Sequence, residues 1–168
     1  IIDLRDATQA QMEAALGNNR SHEGRLWQYL RPGSSDVTVF YSGHGVPGLR
    51  DKRGYLLPVD ADPAKPEING YPIDVLYDNL RKLEARSMTV YLDTCFSGVS
   101  GGGILVQGAS GLVVTPKLPA KAGGMVVLTA AQPDQVASWD KKNKHGLFTW
   151  PLLRALYGKA DAKGFGNG

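Results

Sequence analysis

The chain has 168 residues, 42% of them hydrophobic and 21% charged, which places it among ordinary globular domains and excludes a disordered or fibrous chain. Its net charge of +3 is too small and too scattered to imply a nucleic-acid partner, and the cluster Lys141, Lys142 and Lys144 reads as a solvated loop. A single cysteine excludes an internal disulfide framework, and no apolar run approaches the ~20 residues needed to span a bilayer.

The length fits one domain over residues 1–168. The chain opens Ile1-Ile2-Asp3-Leu4 with no Met, charged leader or apolar signal segment, so it reads as cut from something longer. Any targeting signal would then lie outside it; the compartment stays open, with a cytoplasmic one favoured. Residues 1–4 are a weak strand candidate. Thr8 and Gln11 predict a capping box before Met12, Ala15 and Leu16, with Gly17 as the stop. Ser21 is a candidate cap for a short helix carrying Leu26, Trp27 and Leu30. Residues 37–42 form a short, β-branched and aromatic run that predicts a strand.

Asp74 precedes Leu76, Leu80 and Leu83, which share one helical face. Residues 88–93 and 125–131 predict two more strands. Between them, residues 99–124 are Gly-rich with no clear period, which marks a functional or mobile loop. Leu152, Leu153, Leu156 and Tyr157 form a last helical stripe closed by Gly158, with Pro151 in its first turn. Nearly continuous apolar strands alternating with helices predict an α/β three-layer sandwich, its central sheet mostly parallel and covered on both faces. Trp27 and Trp150, in helical patterns, read as core rather than as a binding surface.

In such a sheet, ligands bind beyond the carboxyl ends of the strands. The first confident strand runs into Gly43-His44-Gly45 and the second into Thr94-Cys95-Phe96-Ser97-Gly98. If the two strands are parallel, His44 and Cys95 meet on one edge. A thiolate beside an imidazole can attack a carbonyl carbon, and the imidazole can then protonate the leaving amine. The flanking glycines let a substrate backbone approach, and the N–H groups of Gly45 and Cys95 are candidate oxyanion-hole donors.

The segments at 39–45 (Val-Phe-Tyr-Ser-Gly-His-Gly) and 91–98 (Tyr-Leu-Asp-Thr-Cys-Phe-Ser-Gly) resemble the paired motifs of caspase-like cysteine peptidases. The likeness runs from about Ile1 to Gly164 and includes residues 54–60, 128–131 and 145–149. The nearest branch looks like the metacaspases and bacterial orthocaspases, because Asp93-Thr94-Cys95 stands where animal caspases have Gln-Ala-Cys. The resemblance implies a Cys–His endopeptidase whose primary pocket is lined by Asp93 and Ser42 and selects Arg or Lys. A pocket carboxylate agrees with this, since it attracts a basic side chain and repels an acidic one.

The resemblance also implies a strand and helix preceding residue 1, the strand being central in the family's sheet, so the domain is expected to be incomplete here. Self-cleavage after basic residues, common among relatives, points to Lys117 and Lys121, the two basic residues of the Gly-rich loop. Protein or peptide substrates are expected, and a monomer. No cofactor is expected: Asp60, Asp62 and Asp74 do not form the dense acidic run that calcium activation needs, and one Cys with three separated His gives no zinc spacing. Two other functions compete. A caspase-like scaffold with a silent site is disfavoured by the presence of both dyad residues. A serine hydrolase is suggested by Gly98-Val99-Ser100-Gly101-Gly102 with Asp134 and His145, but that motif needs a tight strand-to-helix turn at Ser100.

Overall fold

A computed structural model of the chain describes residues 1–94, 96, 99–100, 103–104, 124–130, 139–140 and 145–159. Helix α1 (Gln9–Leu16) begins as expected: the Thr8 hydroxyl accepts from the Gln11 N–H, and the Gln11 side chain accepts from the Thr8 N–H at 2.9 Å. It ends at Gly17, whose φ of 82° favours glycine. Helix α2 (Arg25–Tyr29) is capped by Gly24 and not by Ser21. The Ser21 hydroxyl instead accepts from the nearby Glu23 N–H at 3.1 Å, a local turn formed before the helix starts.

Strand β1 (Asp36–Ser42) is followed by three very short strands, β2 (Gly45–Pro47), β3 (Gly54–Leu56) and β4 (Tyr71–Pro72), which form a separate antiparallel sheet. Helix α3 (Pro66–Asn69) lies between the last two. Strands of two or three residues carry no readable alternation, which is why the sequence pattern misses this sheet. Helix α4 (Ile73–Arg81) follows, with Asp74 inside its first turn; its carboxylate grips Arg53 at 2.7 and 3.1 Å and caps nothing.

Strand β5 (Ser87–Asp93) pairs parallel with β1 over all seven residues, and β8 (Met125–Thr129) pairs parallel with β5 on its other side. Two-residue pairs β6 (Val99–Ser100) with β7 (Gly103–Ile104), and β9 (Trp139–Asp140) with β10 (His145–Gly146), complete the strands. Helix α5 (Thr149–Arg154) runs on into a wider turn, Ala155–Lys159. Its expected stripe is interrupted, because Leu156 and Tyr157 are exposed and Gly158 sits at φ 88°. The fold is mixed α/β, a parallel three-stranded sheet with flanking helices.

Val37, Met88 and Met125 share one row of that sheet, and Val39, Val90 and Val127 the next. Met12 of α1 and Leu76 and Leu80 of α4 pack with them in one core. The opposite face carries the row Phe40–Tyr91–Leu128, and Phe40 is 51% exposed and Leu128 39%. Covering of both faces is therefore seen, among the described residues, only on the α1–α4 side. Trp27 is also exposed, edge-on to His22, so it is not core.

Residues 1–4 belong to no strand and face residues of β1 across open space. Between them is a cavity of about 1050 Å³, lined by Ile2, Leu4, Val37, Val39 and Leu30 and reaching Ser42 and His44.

The start of the β1–β5 ladder is clamped. Asp36 accepts from the Arg86 Nε at 2.9 Å and the Ser87 hydroxyl at 2.6 Å. The bonds from Arg86, then Ser87, hold the Asp36 carboxyl down at about 2 from its usual 3.8. A folded-state value below the unfolded one adds stability above the unfolded pKa and loses it as pH falls through the folded value. Acid titration of unfolding should therefore show that Asp36→Asn flattens the loss of stability between about pH 4 and 2. Leu76, fully buried on α4, should cost about 3 kcal/mol when cut to Ala, read as a shifted urea midpoint at unchanged slope.

Candidate active site

The β1–β5 register runs to its last residues, so Ser42 pairs with Asp93 and both strands end on the same edge. Side chains alternate along parallel strands, and register partners point to the same face. Ser42 and Asp93 are thus neighbours above that edge. The Gly43 N–H donates to the Asp93 carbonyl at 3.3 Å, carrying the pairing one residue further.

His44 follows, with its side chain exposed and its backbone tightly held. Its carbonyl accepts from the Leu57 N–H at 2.9 Å and from the Tyr41 hydroxyl at 2.8 Å. Burial pushes the Tyr41 hydroxyl well above its ordinary pKa, so it stays protonated and able to donate. Gly43 is needed here for space: a Cβ on it would lie 2.7 Å from the Tyr41 oxygen. Beyond His44, buried Gly45 opens β2 and pairs with Leu56, tying the histidine turn to the small sheet.

On the other strand, the half-buried Asp93 accepts a hydrogen bond from the Thr149 hydroxyl at the start of α5, 56 residues away. Thr94 is 2% exposed and its hydroxyl has no partner among the described residues. Such a group costs about 1–3 kcal/mol relative to a satisfied one. Phe96 is buried in the main core and packs over Gly54, where a Cβ would stand 3.1 Å from its ring and 3.2 Å from Ile73. Thr94 and Phe96 flank Cys95, which lies outside the described residues, as do Lys117, Lys121 and Asp134.

The structure thus brings together Ser42, Gly43, His44, Gly45 and Asp93. Sequence reasoning singled out four of these but missed Tyr41, Leu57 and Thr149, which hold them. Tyr41, Leu57 and Thr149 were each one residue of a longer resembling segment, with nothing in the string to single it out. Ser100 does not sit on a strand-to-helix turn: it ends β6, and the chain returns as β7, with Ser100 paired to Gly103. That geometry removes the serine-hydrolase reading.

Among the described residues, no three His, Cys, Asp or Glu side chains group as a metal site. Asp60 accepts from the Gln9 N–H at 2.9 Å and ties its loop to the start of α1, while Asp62 accepts from the Ala64 N–H at 2.9 Å within its own turn. No described helix is long and apolar enough to cross a membrane.

The carboxyl edge of the parallel sheet thus carries a histidine turn beside an aspartate. Residues 2–164 match the caspase domain, and the chain belongs to that family of cysteine peptidases, whose substrates are proteins. No match is found among curated proteins.

The hold on His44 can be checked directly. Tyr41→Phe should cost about 1 kcal/mol of stability. It should also speed hydrogen exchange at the Leu57 amide more than at amides of α4.

Proposed function

We propose that the chain is an endopeptidase that cleaves after Arg or Lys with Cys95 as nucleophile and His44 as its partner, as in the metacaspase branch of the family. The observation that carries this reading is the Ser42–Asp93 register pair, which ends both strands on one edge with His44 just beyond. Cys95 follows Asp93 by two residues, and Thr94 and Phe96 on either side of it are both buried.

The Cys95 thiol gives its proton to the His44 imidazole, and the thiolate attacks the substrate carbonyl carbon. The N–H groups of Gly45 and Cys95 receive the developing oxyanion. The tetrahedral intermediate collapses, the imidazolium protonates the leaving amine, and a thioester remains. Water, deprotonated by His44, attacks the thioester; the thiol is released and the carboxylic acid departs. Asp93, with Ser42 beside it, pairs the basic side chain of the residue before the scissile bond. An aspartate side chain there would meet like charge.

Lys117 and Lys121 are the proposed self-cleavage sites, and the working unit is proposed to be a monomer. The edge of β1 that no described strand pairs with, and the cavity beside it, fit one more strand, the reason for proposing that the domain is larger than residues 1–168. The test therefore uses the natural full-length chain. Matched fluorogenic peptides ending in Arg, Lys or Asp are offered with and without calcium. Arg and Lys peptides should be hydrolysed, Cys95→Ala should abolish the rate, and Asp93→Asn should lower kcat/KM on both by about 10²-fold or more. Cleavage after Asp would overturn the pocket assignment; no cleavage of any peptide would overturn the enzyme reading in favour of a binding domain. Self-processing that survives Lys117→Ala with Lys121→Ala would remove those two sites.

A further inference from the structure

We propose that Thr149 sets the choice between Arg and Lys in this pocket by fixing the plane of the Asp93 carboxylate; the inference rests on the basic-residue specificity proposed above. Thr149 is 9% exposed, and its hydroxyl donates to Oδ2 of Asp93. The same aspartate is anchored through its backbone, where its carbonyl accepts from Gly43. Main chain and side chain are therefore held from two separate segments, the turn just after β1 and the start of α5.

An aspartate's terminal torsion is broad and soft, so without a partner the carboxylate plane is free to swing. A hydroxyl on one oxygen stops that swing. It uses one of about four acceptor positions and leaves the charge in place. Which ligand gains from a fixed plane follows from shape. Guanidinium offers two parallel N–H groups in one plane and binds a carboxylate bidentately only when the two planes match. Ammonium is a compact point charge with rotatable donors and tolerates a swinging partner. Thr149 thus favours Arg over Lys without touching either. It is a positioning residue.

The experiment compares Thr149→Val and Thr149→Ser with the unaltered full-length chain on matched Arg and Lys peptides. Valine keeps the shape and removes the donor; serine keeps the donor. Thr149→Val should lower kcat/KM for the Arg peptide about tenfold, mostly through KM, and for the Lys peptide about twofold. The Arg-to-Lys ratio should contract about fivefold, and Thr149→Ser should hold it within about twofold of the parent. Partial unfolding scales both substrates equally and cannot move a ratio. An unchanged ratio in Thr149→Val, with the parent cleaving both peptides, would overturn the role given to Thr149 alone. A parent that cleaves neither peptide would overturn the underlying specificity as well.

Discussion

The parallel ladder between Asp36–Ser42 and Ser87–Asp93 is the constraint on which the rest of the site depends. A slip of one residue in that pairing would turn every side chain of one strand to the other face. It would move Val37 and Val39 out of the core and separate Ser42 from Asp93. Two features resist the slip. At the near end, Asp36 is gripped by Arg86 and Ser87. Along its length, Met88, Val90 and Leu92 are buried together with Val37 against α1 and α4. Packing therefore acts at a distance on chemistry, since the core side chains decide what stands at the strand tips.

Beyond the last ladder pair the main sheet no longer supports the histidine turn, and β2 and hydrogen bonds from other residues take over. The His44 carbonyl is shared by Tyr41 and Leu57, and the Asp93 side chain is held by Thr149. Each contact contributes about 1 kcal/mol, small against the core yet enough to restrict a turn to one conformation. Phe96 works differently, through apolar contact with Gly54 and Ile73. A site meant to stabilise a transition state gains from such restraint, because its groups need not reorganise as charge develops.

The donors come from widely separated parts of the sequence. Asp93 and Thr149 stand on opposite sides of the Gly-rich stretch, and His44 is bonded to Leu57, just past the end of β3. Strand ends suit such convergence: a rigid scaffold presents several loops to one place, and each loop can change without disturbing the sheet. Two buried hydroxyls, those of Tyr77 and Thr94, find no partner among the described residues.

Much of this was legible in the residues themselves. The Thr8–Gln11 box, the leucine face of α4 and the three apolar runs are local signals, since caps and periodicity depend on neighbours a few positions away. The motifs around His44 and Cys95, and the family they belong to, are likewise local strings of sequence. Other features depend on pairings between distant residues, which no window of sequence contains. These include the two- and three-residue strands at Gly45, Gly54 and Tyr71 and the exposure of Phe40. The Tyr41 and Thr149 hydroxyls belong with them: which carbonyl or carboxylate each one meets depends on the fold. The sequence by itself determined the family the chain belongs to and which strand ends carry its motifs. Tertiary structure alone decided which side chains orient it, because orientation comes from contacts across the sheet and not along the chain.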